Sequence, residues 1–106
     1  SNRTLQKILK NNIDEIACYD LIYSDLEVAS VNQGPKIVLI YNYLTFSFIH
    51  KAIDRKTLLE KIFIVSSLRI KDKIRKNFGN EVLDMNIDVA ESPSDESMLK
   101  KAKEFI

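Results

Sequence analysis

With 106 residues, 12.2 kDa, 45% hydrophobic and 29% charged residues and a formal net charge of +1, the chain has room for one compact domain of ordinary globular composition. Two glycines, two prolines and no tryptophan exclude a collagen-like chain, and the mix of apolar and charged residues excludes wholesale disorder and coiled coil. The longest apolar runs, Ile37 to Tyr41 and Ile62 to Val65, fall far short of the roughly 20 residues that cross a bilayer, and no signal sequence opens the chain, so a cytoplasmic protein with no membrane partner is expected.

The chain reads as a single α/β domain over residues 1–106, with Ser1-Asn2 set aside as an expression-tag remnant. From Thr4 to Ile16 the apolar residues Leu5, Ile8, Leu9, Ile13 and Ile16 recur at spacings of three and four, which predicts an amphipathic helix. Ala17 to Tyr23 is short and rich in strand formers, and Ser24-Asp25 closes it as a turn. Gln33-Gly34-Pro35 breaks the next stretch, and Ile37 to Tyr41 follows as a strand with no polar alternation, hence buried on both faces. From Thr45, the placement of Phe46, Phe48, Ile49, Ala52 and Ile53 predicts a helix, and Thr57-Leu58-Leu59-Glu60 has the form of a capping box that starts a short separate turn.

Ile62 to Val65 is the second fully apolar strand, ended by Ser66-Ser67. A helix with Ile70, Ile74 and Phe78 on its inner side runs from Leu68 to a stop at Gly79-Asn80. Met85 to Ala90 alternates apolar and polar residues and predicts a strand near a sheet edge. The last helix follows Ser94 as N-cap, with Asp95 and Glu96 in its first turn and Met98, Leu99, Ala102 and Phe105 as its apolar side. Strands that alternate with helices, the central two apolar throughout, predict an open, mostly parallel sheet of about four strands flanked by helices, a three-layer α/β sandwich.

In such sheets ligands lie beyond the carboxyl ends of the strands, where the N-termini of the following helices point. This places a candidate ligand site on Ser24 and Asp25, on Asn42 and Thr45, and on Ser66, Ser67 and Arg69. Hydroxyls before a helix, the helix dipole and the arginine suit a small anion such as a carboxylate or phosphate. The same residue types also cap helices in most α/β proteins.

Cofactors and metals find no motif. The only glycines, Gly34 and Gly79, cannot form a phosphate loop, and one cysteine and one histidine cannot make a zinc site of usual stoichiometry. Cys18 reads as a small apolar strand residue and His50 as a partly buried or surface histidine with no partner in sequence, so no catalytic residue is assigned.

Charge is segregated along the chain. Residues 51–80 hold nine Lys and Arg against three acids, and residues 81–106 hold three against seven. The segment Arg69 to Lys76 carries five cations in eight residues. With a near-neutral total, no aromatic stacking set and the acidic end in compensation, it reads as the solvated face of a helix, with no direct nucleic-acid contact by this domain. A homodimer that pairs the basic helix with the acidic segment Glu81 to Glu96 is the alternative use of this charge.

The run from Leu5 to Ala17 resembles the first helix and strand of the effector-binding domain of LysR-type bacterial transcription regulators. Ile37 to Ile40, then His50-Lys51-Ala52-Ile53, then Leu58 to Val65 are similar to that family's later strand, its "H-P-L-A" stretch and the strand after it. Lys51 replaces the family's proline and Asn12 its glycine. A second resemblance is to the enzyme IIB-like modules of sugar-phosphotransferase systems. There Tyr19 to Ser24 and Lys36 to Leu44 look like the third and fourth strands and Lys61 to Ser67 like the first, with Ser66 and Ser67 in the place of the phosphorylated cysteine. Both resemblances imply regulation rather than turnover. The expected function is a non-catalytic regulatory or effector-sensing domain of a bacterial transcription regulator, with no cofactor and a small anionic ligand at the strand ends. A protein-interaction or assembly domain is the alternative.

Overall fold

A computed structural model describes residues 36–106 in full and the backbone of residues 16–18. Of the predicted helix Thr4 to Ile16 only Ile16 is described, and it belongs to a strand, which starts one residue before the predicted Ala17; the turn at Ser24-Asp25, the break at Gln33-Gly34-Pro35 and the predicted strand beyond Cys18 lie outside the described residues.

The two unbroken apolar runs form strands, β2 (Ile37–Ile40) and β3 (Ile62–Val65), and every residue of both strands is buried; Tyr41, the last residue of the first run, lies beyond β2 and is half-buried, its phenol turned to Asp95. They pair in parallel from Ile37↔Ile62 to Ile40↔Val65. β1 (Ile16–Cys18) pairs in parallel with the outer side of β2, and β4 (Asn86–Val89) with the outer side of β3, from Ile62↔Asn86 to Val65↔Val89. The resulting order, β1-β2-β3-β4, leaves β4 at an edge, where a solvated face is tolerated and its polar alternation belongs. The chain is thus a mixed α/β fold built on an open parallel sheet.

Strand alternation divides the buried side chains between two faces. Val38, Ile40, Phe63, Val65 and Ile87 share one face with Phe46 and Ile49 of α1 (Tyr43–Ala52), Leu58 of α2 (Arg55–Glu60) and Ile74 of α3 (Leu68–Phe78). Ile37, Leu39, Ile62 and Ile64 face the other way, onto Met98, Leu99 and Ala102 of α4 (Asp95–Lys103). Apart from Ala102, each of these side chains contributes about 1.5–3 kcal/mol by leaving water. On the first face Phe46 also meets Phe63 and Phe78 edge-on, with centroids 5.5 Å apart in both pairs.

Element boundaries differ from the sequence expectation where a side chain takes over a backbone donor. α1 starts at Tyr43 rather than Thr45, because Asn42 Oδ1 accepts from the Thr45 N–H at 2.9 Å. Its inner face is Phe46 and Ile49, whereas Phe48 is exposed and so is Ala52. The second helix is separate, but Thr57 does not cap it. Ile53 is extended and Asp54 is the N-cap, accepting from the Thr57 N–H at 2.9 Å and from its hydroxyl at 3.0 Å. α3 ends where expected, at Gly79, whose φ of 55° lies in the region side chains avoid; a 3₁₀ turn, Gly79–Val82, follows. Ser94 caps α4 through the Ser97 N–H, but the helix ends at Lys103 and Phe105 lies beyond it, exposed.

Candidate functional site

The register Ile40↔Val65 sets the exits of β2 and β3 side by side, and the backbone ladder continues one step further, with the Ser66 N–H donating to Ile40 O at 3.0 Å. Here the sequence-predicted residues separate into two groups. Thr45 and Ser66 are buried, and their hydroxyls are turned inward: Thr45 donates to Asn42 Oδ1 at 3.0 Å and Ser66 to the Tyr41 carbonyl at 3.1 Å. Asn42 and Arg69 are exposed and Ser67 is half-buried. Ser24 and Asp25 lie outside the described residues.

Ser67 is the N-cap of α3. Its backbone is extended and its Oγ accepts from the Ile70 N–H at 3.3 Å, leaving the hydroxyl proton to donate elsewhere. The first turn of α3 holds no acid, and Arg69 has no ion pair among the described residues. Arg69 and the positive end of the helix dipole thus lie within one turn of each other, with no ion pair to Arg69 among the described residues. The first turn of α1, beside it, also has no acid.

Among the described residues the topology shows one place where the sheet can open. The helices that follow β2 and β3 pack on one face, and the helix that follows β4 packs on the other. Connections diverge between the exits of β3 and β4, which is the condition for a ligand crevice in an open parallel sheet. Ser67 and Arg69 stand on the β3 side of that divide. The β4 side was not among the sequence-predicted site residues, although Ser92-Pro93-Ser94 marks it. There an open cleft of about 390 Å³ is lined by Glu91, Ser92, Ser94, Glu96, Ser97 and Lys100. Its serines bond one another: the Ser92 N–H donates to Ser97 Oγ at 2.9 Å, and the Ser92 and Ser94 hydroxyls are 3.0 Å apart. Two carboxylates against one ammonium make this cleft a poor host for an anion.

His50 lies against Phe78, centroids 4.3 Å apart, and near Phe46 at 6.1 Å. It belongs to an aromatic cluster between α1 and α3. No three His, Cys, Asp or Glu residues gather as a metal site among the described residues, and no described helix is long and apolar enough to cross a membrane. Comparison with known proteins finds no matching family model, no matching curated protein and no matching solved structure, so neither the LysR-type nor the enzyme IIB-like resemblance gains support from them.

Proposed function

We propose that the chain is a non-catalytic regulatory domain that senses a small anionic ligand at the exit of β3, in the manner the LysR-type resemblance implies for an effector domain of a cytoplasmic bacterial regulator. One observation supports the reading: an acid-free helix start, the Ser67 hydroxyl and Arg69, which has no ion pair among the described residues, fall within one turn of α3 beside the place where the chain leaves β3 and β4 for opposite faces. In this reading the domain is a three-layer sandwich of about four strands, supported by the pairing of Ile16–Cys18 with β2 and by the two separate core clusters.

Calorimetric titration with phosphate, simple carboxylates and sugar phosphates tests it. Binding of one of these classes, lost in Arg69→Ala, is the expected result. Arg69 is exposed and in no described ion pair, so this variant keeps the fold, whereas Ser67→Ala also removes a helix cap and costs about 1 kcal/mol. Silence toward all three classes, or affinity unchanged in Arg69→Ala, rejects the site.

A further inference from the structure

We propose that the outer face of α3 docks on the phosphate backbone of a duplex nucleic acid. Helix α3 carries Arg69, Lys71, Lys73, Arg75 and Lys76 against a single acid, Asp72, and none of the five cations has an ion pair among the described residues. Among the described residues the Lys73 ammonium lies 4.6 Å over the Tyr43 ring. Positions 69, 73 and 76 follow the i, i+4, i+7 spacing of one helix face, opposite the buried Ile74. The three cations thus form a stripe along the surface, interrupted by Asp72, which shares that face at i+3 from Arg69 and i−4 from Lys76 and leaves the stripe a net two positive charges.

In the sequence this charge is offset by the acidic residues after Glu81, which argues against a polyanion. The fold parts α3 from the acids of α4, while Glu81 and Asp84 stay beside the end of α3, where Asp84 pairs with Arg55. α3 covers the face of Val38, Phe63 and Val65, and α4 covers the face of Leu39 and Ile64, so the sheet lies between the basic helix and the acid-rich first turn of α4. Helices about 10 Å across on either side of a sheet stand well beyond the Debye length of about 8 Å at physiological ionic strength. The acids of α4, which offset this charge along the chain, therefore do not screen the outer face of α3.

The same arrangement disfavours a second copy as the occupant. A basic face and an acidic face on opposite sides of one molecule meet only head to tail, a contact that does not close into a two-fold dimer. A protein partner would want a buried aromatic or aliphatic anchor, and the stripe has none; Leu68 lies at its end. The apolar side of α3 is spent on the core through Ile70, Ile74 and Phe78, which leaves no face to enter a lipid surface. Tyr43, which borders the stripe, is covered by Lys73 and offers single-stranded bases no open ring to stack on, so a duplex fits best.

Fluorescence anisotropy with the full chain and a labelled mixed-sequence DNA duplex of two helical turns tests the proposal. Three phosphate contacts predict that affinity falls about 40-fold between roughly 50 and 200 mM salt. Lys73→Gln with Lys76→Gln should flatten that to about 3.5-fold, one remaining contact, while Lys100→Gln with Lys103→Gln on α4 should match the parent chain. Gln is close to Lys in helix propensity and all four positions are exposed, so both variants retain the fold, which circular dichroism checks. Absence of binding at the low-salt end, an equal loss from the α4 pair, or displacement of the duplex by polyglutamate or anionic vesicles at equal charge would each overturn it. Arg69 is untouched in both variants, so this test and the small-anion titration fail independently.

Discussion

The Tyr41 phenol donates to Asp95 Oδ1 at 2.8 Å, joining the residue after β2 to the first residue of α4, 54 positions later. Ser66 bonds the backbone carbonyl of the same tyrosine, so this one residue ties the exits of two strands to the helix on the second face. Removing the hydroxyl in Tyr41→Phe should cost about 1 kcal/mol, since one partner is charged but the bond is only part-buried. For a domain of this size that is a fall of about 4–8 °C in Tm. A double-mutant cycle with Asp95→Ala should show the two losses to be non-additive; simple additivity would mean that the bond does not couple the strand exit to α4.

Gly79 ends α3 with φ 55° and ψ −129°, a region that only glycine occupies without strain. A Cβ added there meets nothing within 4 Å. Any penalty in Gly79→Ala is therefore backbone strain and not collision, and we expect a loss of about 1–3 kcal/mol by urea denaturation with an unchanged m-value. A neutral substitution would show that the turn relaxes freely to negative φ.

Asp54 caps α2, and its carboxyl is held below the usual aspartate range, chiefly by the Thr57 backbone N–H and next by the Thr57 hydroxyl. Because the folded value is the lower one, this stabilisation is complete above the unfolded pKa of about 3.9 and is lost as pH falls through the folded value. Amide protection factors in α2 should fall through that window while those of α3, which has no acid in its first turn, hold. Asp54→Asn keeps a capping oxygen but no titratable group, so its α2 should respond much less to acid. Identical acid profiles for the two chains would remove Asp54 as the cause.

Much of the fold is legible from local rules. Ile37 to Ile40 and Ile62 to Val65 announce inner strands because an unbroken apolar run is stable only when both faces are covered, and both are buried throughout. Ser94 and Gly79 mark helix ends because a cap and a positive φ demand those residue types. The cap at Asp54 was hidden by Thr57 and Glu60, which fit the pattern of a capping box, because the choice between them depends on where the chain leaves α1. The candidate site was less legible. Residue type and position place Thr45 and Ser66 at strand exits but do not tell which way a hydroxyl turns, and in both it turns to an acceptor inside the protein.

Periodicity in one dimension determined which side chains share a face, which elements form and where they stop. It could not determine which side of the sheet each helix would cover, because an amphipathic helix is served equally well by either apolar face. Packing made that choice, with α1 to α3 on one side and α4 on the other. That single decision opened the connections between β3 and β4 and parted the basic helix from the acid-rich start of α4.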